Sequence, residues 1–355
     1  PDWEVLPYDV FSPHQDIISE RLRALHRLPR KSAGVVIVPI ATLMQRIAPP
    51  EFLEATVIRL GRGQPLALEA MRASLQASGY RCVAEVLEHG EFAVRGAILD
   101  LFPMGAQTPL RVELFDDEID TIRSFDPETQ RSIERLDQVE LLPAQEFPTD
   151  AEGIGRFRRQ YRARFEGDPT SSPIYQAVSE GQIPNGIEAY LPLFVERTAT
   201  LFDYLPEGAL AVRLGSVDEQ LDAEWAQIHE RYEQRRHDRE RPLLPPASLY
   251  LDPDAVRQGL RRRPQVLIPA DPGREPIRSR DRRLDARPLP DLSVAPGDGS
   301  GLAALQRFIE AFDGAVLLTA ETAGRREALR ERLRSAGFAL REVDDWAAFT
   351  ARSAD

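Results

Sequence analysis

Residues 91–132 read EFAVRGAILDLFPMGAQTPLRVELFDDEIDTIRSFDPETQRS, and the fold is decided there. The stretch sets three or four short β-type runs between turn signals. In Leu110-Arg111-Val112-Glu113-Leu114-Phe115 the residues alternate, so Leu110, Val112 and Leu114 share one face of a strand and Arg111, Glu113 and Phe115 the other. A bulky aromatic on the charged face is anomalous. Two readings stand side by side: Phe115 ends its strand and folds under a neighbouring turn, or it belongs to a protein-binding patch, where aromatics and arginines are enriched. Arg111 and Phe115, four apart on a strand, lie roughly 13 Å from each other, a fitting span for one patch.

Working outward, the pattern around this stretch is that of a small α+β unit. A short strand near residues 54–60 and a helix over 66–77 ending at Gly79 precede several close strands, and the unit ends near Leu141. On the N-terminal side, Ser12 reads as a helix N-cap, with Pro13 at the first helical position and Gln15 closing a capping box. Ile18, Leu22 and Leu25 then mark one buried helix face. Val35-Val36-Ile37-Val38 is a continuous apolar run typical of a buried parallel strand, followed by a helix near Thr42–Ile47. On the C-terminal side, Thr149 is placed to cap a helix carrying Phe157, Tyr161 and Phe165, whose other side bears Arg156, Arg158, Arg159, Arg162 and Arg164. Residues 209–212 read as a buried strand. Leu221, Trp225, Ile228 and Tyr232 mark the clearest helix, stopped by Pro242 and Pro245-Pro246. Val266-Leu267-Ile268 is a further strand. Residues 273–301, rich in Pro, Gly, Asp and Arg, read as an exposed connector. Beyond them lie a helix through Leu302, Leu305, Ile309 and Phe312, a strand over 315–320 and a helix over 325–336. Strand–helix alternation of this kind implies an open α/β sheet.

Composition narrows the function. A chain of 355 residues accommodates two to four domains. No apolar run approaches the ~20 residues of a membrane span, and Pro1-Asp2-Trp3-Glu4 has no signal-peptide character, so a cytoplasmic protein without membrane association is expected. The missing initiator Met is what a fragment would show. Cys82 is the single cysteine, which rules out a disulfide framework and a thiolate metal cage. A net charge of −12 argues against tight nonspecific nucleic-acid binding. Lys31 is the one lysine and has no glycine loop before it, while Gly297, Gly299 and Gly301 have no lysine, so no Walker-type phosphate cradle is present. The histidines are scattered. The acidic cluster Asp116, Asp117, Glu118 and Asp120 lacks the glycine and spacing of a calcium loop and reads as a solvated turn. Gly299-Ser300-Gly301 is too short for a nucleophile elbow. No cofactor, metal site or catalytic residue is expected, and the chain is not expected to be an enzyme.

Long irregular strings carry a resemblance. Trp3-Glu4-Val5-Leu6-Pro7-Tyr8-Asp9, Phe11–Ser19, Thr42-Leu43-Met44-Gln45-Arg46, Leu142–Asp150, Gly186-Ile187-Glu188 and Arg241–Pro246 are similar to the N-terminal, UvrB-like region of the transcription-repair coupling factors (Mfd), a family sharing a module with the excision-repair protein UvrB. The resemblance implies an α/β fold: a degenerate helicase-like parallel-sheet domain (1–53 and 142–272) interrupted by a small α+β insert that binds UvrA (54–141), then a linker (273–301) and a separate small α/β domain (302–355). It implies that Arg95, Arg111 and Phe115 contact UvrA, with Glu113 beside them. It also implies that full-length members are ATP-dependent DNA translocases whose motor lies outside this chain, with RNA polymerase and duplex DNA as further partners. The alternative is a UvrB-like DNA-damage-binding module, but the tyrosine-rich hairpin of UvrB has no counterpart around Ile174-Tyr175 and Gly186–Tyr190.

Overall fold

The computed structural model describes residues 1–31, 33–269, 292, 302–320, 323–343 and 345–350. The chain divides into two compact units, Pro1–Glu275 and Pro276–Asp355. It is a mixed α/β protein with several small sheets.

Within the first unit, the segment anticipated as an α+β insert forms a six-stranded sheet. Its strands follow one another in chain order: β1 (Arg81–Cys82), β2 (Glu91–Arg95), β3 (Ile98–Leu101), β4 (Leu110–Phe115), β5 (Glu118–Phe125) and β6 (Ser132–Leu136). All neighbours are antiparallel except β1 and β2. Period-two alternation buries Phe92, Leu99, Leu101, Leu110, Val112 and Ile122 in one core with Met71 and Leu75 of the Leu68–Ala77 helix and Ile18 and Leu22 of the Gln15–Arg27 helix. Gly79, at φ +87°, lets the chain leave the Leu68–Ala77 helix and turn into β1. The strands on either side of this unit, Ile58–Gly61 and Gln138–Leu141, pair antiparallel with Ile58 opposite Leu141, so the chain enters and leaves at one place.

A buried ion pair fastens that place to the N-terminal helix. Arg21 donates from Nε to Glu146 Oε1 at 2.6 Å and from Nη2 to Oε2 at 3.2 Å, with both side chains almost wholly buried. Its remaining amino group donates to the Pro1 carbonyl, and the guanidinium lies 5.0 Å from the Trp3 ring centroid. A second core, rich in aromatics, is built on the Ala151–Arg164 helix. Phe157 stacks on Phe194 at 4.8 Å and meets Tyr161, Tyr175 and Tyr190.

Several local expectations are corrected. Val35–Val38 is not a buried strand: it is unpaired, and Val35 and Ile37 are each 89% exposed, because no strand runs beside it among the described residues. The strands at Ala211–Leu214 and Gln265–Ile268 do form and pair in parallel, but as a two-stranded sheet with exposed Val212, Leu214, Val266 and Ile268 rather than as buried strands of a large parallel sheet. His14, not Ser12, caps the Gln15–Arg27 helix. The Ser12 hydroxyl instead donates to Glu188 at 2.8 Å and accepts from the Gly186 N–H. Asp150, not Thr149, caps the Ala151–Arg164 helix, Thr149 being bonded to the Ala77 carbonyl. The Trp225 helix spans Val217–Arg235 and ends before Pro242. In the second unit the helices are Ala303–Ala311, Ala323–Ser335 and Trp346–Thr350, and residues 315–320 form no strand. The connector 273–301, with Gly297, Gly299 and Gly301, lies outside the described residues apart from Leu292.

Two consequences are measurable. Phe157→Ala leaves a cavity among four aromatic rings and should lower unfolding free energy by about 3–5 kcal/mol in denaturant titrations. Glu188 is buried, and desolvation raises its pKa from 4.5 to about 7 against the opposing hydrogen bond from Ser12. The folded state therefore holds this proton more tightly than the unfolded chain. Stability is greatest below pH 4.5 with respect to this group and falls as pH rises to 7, by up to about 3 kcal/mol. Glu188→Gln should remove that part of the pH dependence between pH 4.5 and 7.

Candidate protein-binding face

The face of the six-stranded sheet turned away from the core carries the charges. Register places Ala93, Asp100, Arg111, Arg123 and Arg135 in one row across β2 to β6. Arg95, Ile98, Glu113 and Thr121 form the next row. Phe115, paired with Glu118, closes β4 at the hairpin turn, where Asp116 adopts φ +54°. The turn does not fold over the ring: Phe115 is 74% exposed. Arg111, Glu113 and Phe115 share this face with Arg95, which stands beside the Gly96 turn at φ +61°. The four residues singled out from sequence are thus brought onto one surface.

Sequence reasoning missed what holds them. Asp100 is 1% exposed, the least exposed carboxylate on this face. It accepts from Arg95 Nη2 at 2.6 Å and from Arg111 Nε and Nη2 at 2.7 and 2.9 Å. The Arg111–Asp100 pair is the two-pronged geometry in which guanidinium and carboxylate bind most firmly. Arg111 also reaches Gln130 Oε1 at 3.3 Å and lies 4.8 Å from the centroid of the fully buried Phe125 ring. The hydrogen bond to Asp100 pushes the Arg111 pKa up further, against a smaller opposing effect of burial. Glu113 accepts from Arg123 Nη2 at 2.9 Å and Thr121 Oγ1 at 2.8 Å. The one available clue to Asp100 was its place in Ile98-Leu99-Asp100-Leu101, where alternation puts it opposite the two buried leucines. Its partner could not be named without the β3–β4 register.

Two arginines of the other candidate stretch are held by neighbours within the fold. On the Ala151–Arg164 helix, Arg156 is engaged by the Phe194 carbonyl and Glu152, and Arg162 by the Tyr175 hydroxyl. Tyr175 and Tyr190 are buried core residues on helical segments, Pro173–Ser179 and Ile187–Leu193. No group of three His, Cys, Asp or Glu able to hold a metal ion occurs among the described residues, and none of their helices is long and apolar enough to cross a membrane.

Residues 58–147, which include this whole sheet, match the family model of the UvrB interaction domain, and residues 308–355 match that of the MFD D3 domain. The chain is 47% identical over 335 residues to the transcription-repair-coupling factor of Haemophilus influenzae, an alignment covering 94% of this chain. This chain is a sequence relative of the transcription-repair-coupling factors. The Escherichia coli factor is 46% identical, again over 94% of the chain, and the Bacillus subtilis factor 28% identical over 63% of it. The chain spans 29% of the length of the first two relatives and 21% of the third.

Stability should separate the two kinds of residue on this face. Phe115→Ala, at an exposed turn, should change unfolding free energy by less than about 0.5 kcal/mol. Arg111→Ala strands the buried Asp100 with one of its two partners and should cost about 1–3 kcal/mol in the same titration.

Proposed function

We propose that this chain is the UvrA-recruiting N-terminal module of a transcription-repair coupling factor. It acts in transcription-coupled nucleotide excision repair by protein–protein binding, without hydrolysing ATP itself. The observation that carries this reading is a braced, charged sheet face with an exposed aromatic, lying inside the segment that matches the UvrB interaction domain. Phe115 is the anchor, Arg95 and Arg111 flank it, and Glu113 borders it. An exposed ring beside guanidiniums whose side-chain freedom is already restricted is what an interface centre needs.

The domain plan follows the same reading. Residues 54–141 are the UvrA-binding insert, and 1–53 with 142–272 are the two parts of a degenerate helicase-like domain. The exposed two-stranded pair Ala211–Leu214 and Gln265–Ile268 lies within its second part. Residues 273–301 link it to a small α/β domain at 302–355. RNA polymerase and duplex DNA are partners of the full-length factor, whose translocase motor lies elsewhere, and the setting is cytoplasmic. A UvrB-like damage-binding role is not favoured, since the sequence around Ile174-Tyr175 and Gly186–Tyr190 has no tyrosine-rich run and Tyr175 and Tyr190 themselves are packed in the core.

The test is binding of this chain to purified UvrA. Parent protein should bind. Arg95→Glu, Arg111→Glu and Phe115→Ala, each verified as folded, should weaken binding at least about thirtyfold, the range of interface hot spots. A folded parent that does not bind UvrA would refute the assignment.

A further inference from the structure

Resting on the reading of this face as the UvrA site, the arrangement around Asp100 says how the site is kept ready. Asp100 has 2% of its side chain exposed, against 19% for Arg111 and 53% for Arg95, so it is too deep to reach a partner itself. It engages Nη2 of Arg95 and Nε and Nη2 of Arg111. That leaves Nη1 of Arg111 and Nε and Nη1 of Arg95 without a hydrogen bond among the described residues. Two guanidiniums against one carboxylate leave one positive charge uncompensated. Glu113 acts on Arg111 through space but is itself bonded to Arg123 and Thr121, so three guanidiniums against two carboxylates still leave one positive charge over.

We propose that Asp100 is the positioning residue of this face, holding Arg95 and Arg111 so that their remaining N–H groups receive a carboxylate of the partner. A long arginine side chain free in solution must be immobilised on binding, which weakens the complex. Arg111 is already fixed by Asp100, by Gln130 and by its stacking on Phe125. Asp100 also spans two strands, since Arg95 ends β2 and Arg111 lies in β4, with Asp100 on β3 between them. The spacing of the two cations is thus set by the sheet rather than by the side chains.

The experiment is a double-mutant cycle on UvrA binding by this chain: parent, Asp100→Asn, the pair Arg95→Ala with Arg111→Ala, and all three together, with thermal unfolding recorded for each. Asp100→Asn keeps the shape and removes the charge. It should weaken binding about tenfold in the parent and have no further effect once both arginines are gone, because coupled neighbours are non-additive. A purely structural contribution would persist in the arginine-free background, and that result overturns the proposal. So does a folded Asp100→Asn that binds like the parent. If Asp100→Asn does not fold, Gln130→Ala carries the test: it loosens Arg111 from a turn outside the core and should weaken binding about threefold, and unchanged affinity overturns the proposal. Failure of the underlying assignment looks different, since the parent itself would not bind UvrA, or the arginine pair could be removed without loss.

Discussion

The Arg21–Glu146 ion pair is the joint on which the first unit depends. Two charges taken out of water are tolerable only when each satisfies the other with good geometry, and breaking such a pair costs more than never having built it. Here the two-pronged contact is supplemented by the Pro1 carbonyl and the Trp3 ring, so the guanidinium is bonded and stacked. Glu146 lies just after the strand by which the chain leaves the six-stranded sheet unit, and next to Phe147 of the aromatic core. One contact therefore ties the opening segment, the Gln15–Arg27 helix, the sheet unit and the second core together.

The sheet shows the complementary problem. One face is satisfied by apolar burial. The other joins a small apolar cluster of Val86, Ala93, Phe102 and Phe125 to a set of charges that must satisfy one another. They do so through local ion pairs: Asp100 between two arginines, Glu113 beside Arg123, and Phe125 sealed beneath the Arg111 guanidinium. Such a face is stiff without being buried, which is how a flat surface can present a lone aromatic ring at its edge.

What could be read from sequence follows how local each determinant is. The alternation in β4 was legible because a strand sorts its own residues by parity, so Arg111, Glu113 and Phe115 came out together. The Leu68–Ala77 helix and its glycine stop were legible for the same reason. Ser12 was misread because the cap it appeared to provide is a short-range signal, whereas its hydroxyl is claimed by Glu188, 176 positions away. Val35–Val38 was misread because an apolar run shows only a preference for burial, and pairing needs a neighbour supplied from elsewhere in the chain. Asp100 was overlooked because its importance lies in cross-strand register, which no periodicity reveals.

The parallel pair Ala211–Leu214 and Gln265–Ile268 has one more consequence. Its valines, leucines and isoleucine face solvent, and a two-stranded parallel ribbon leaves a row of unsatisfied peptide groups along each outer edge. Those edges are templates for any extended backbone with apolar side chains, and the unpaired Val35–Val38 run supplies one in every molecule. Ribbon edge and apolar run are thus the two parts from which edge-to-edge pairing between copies would be built.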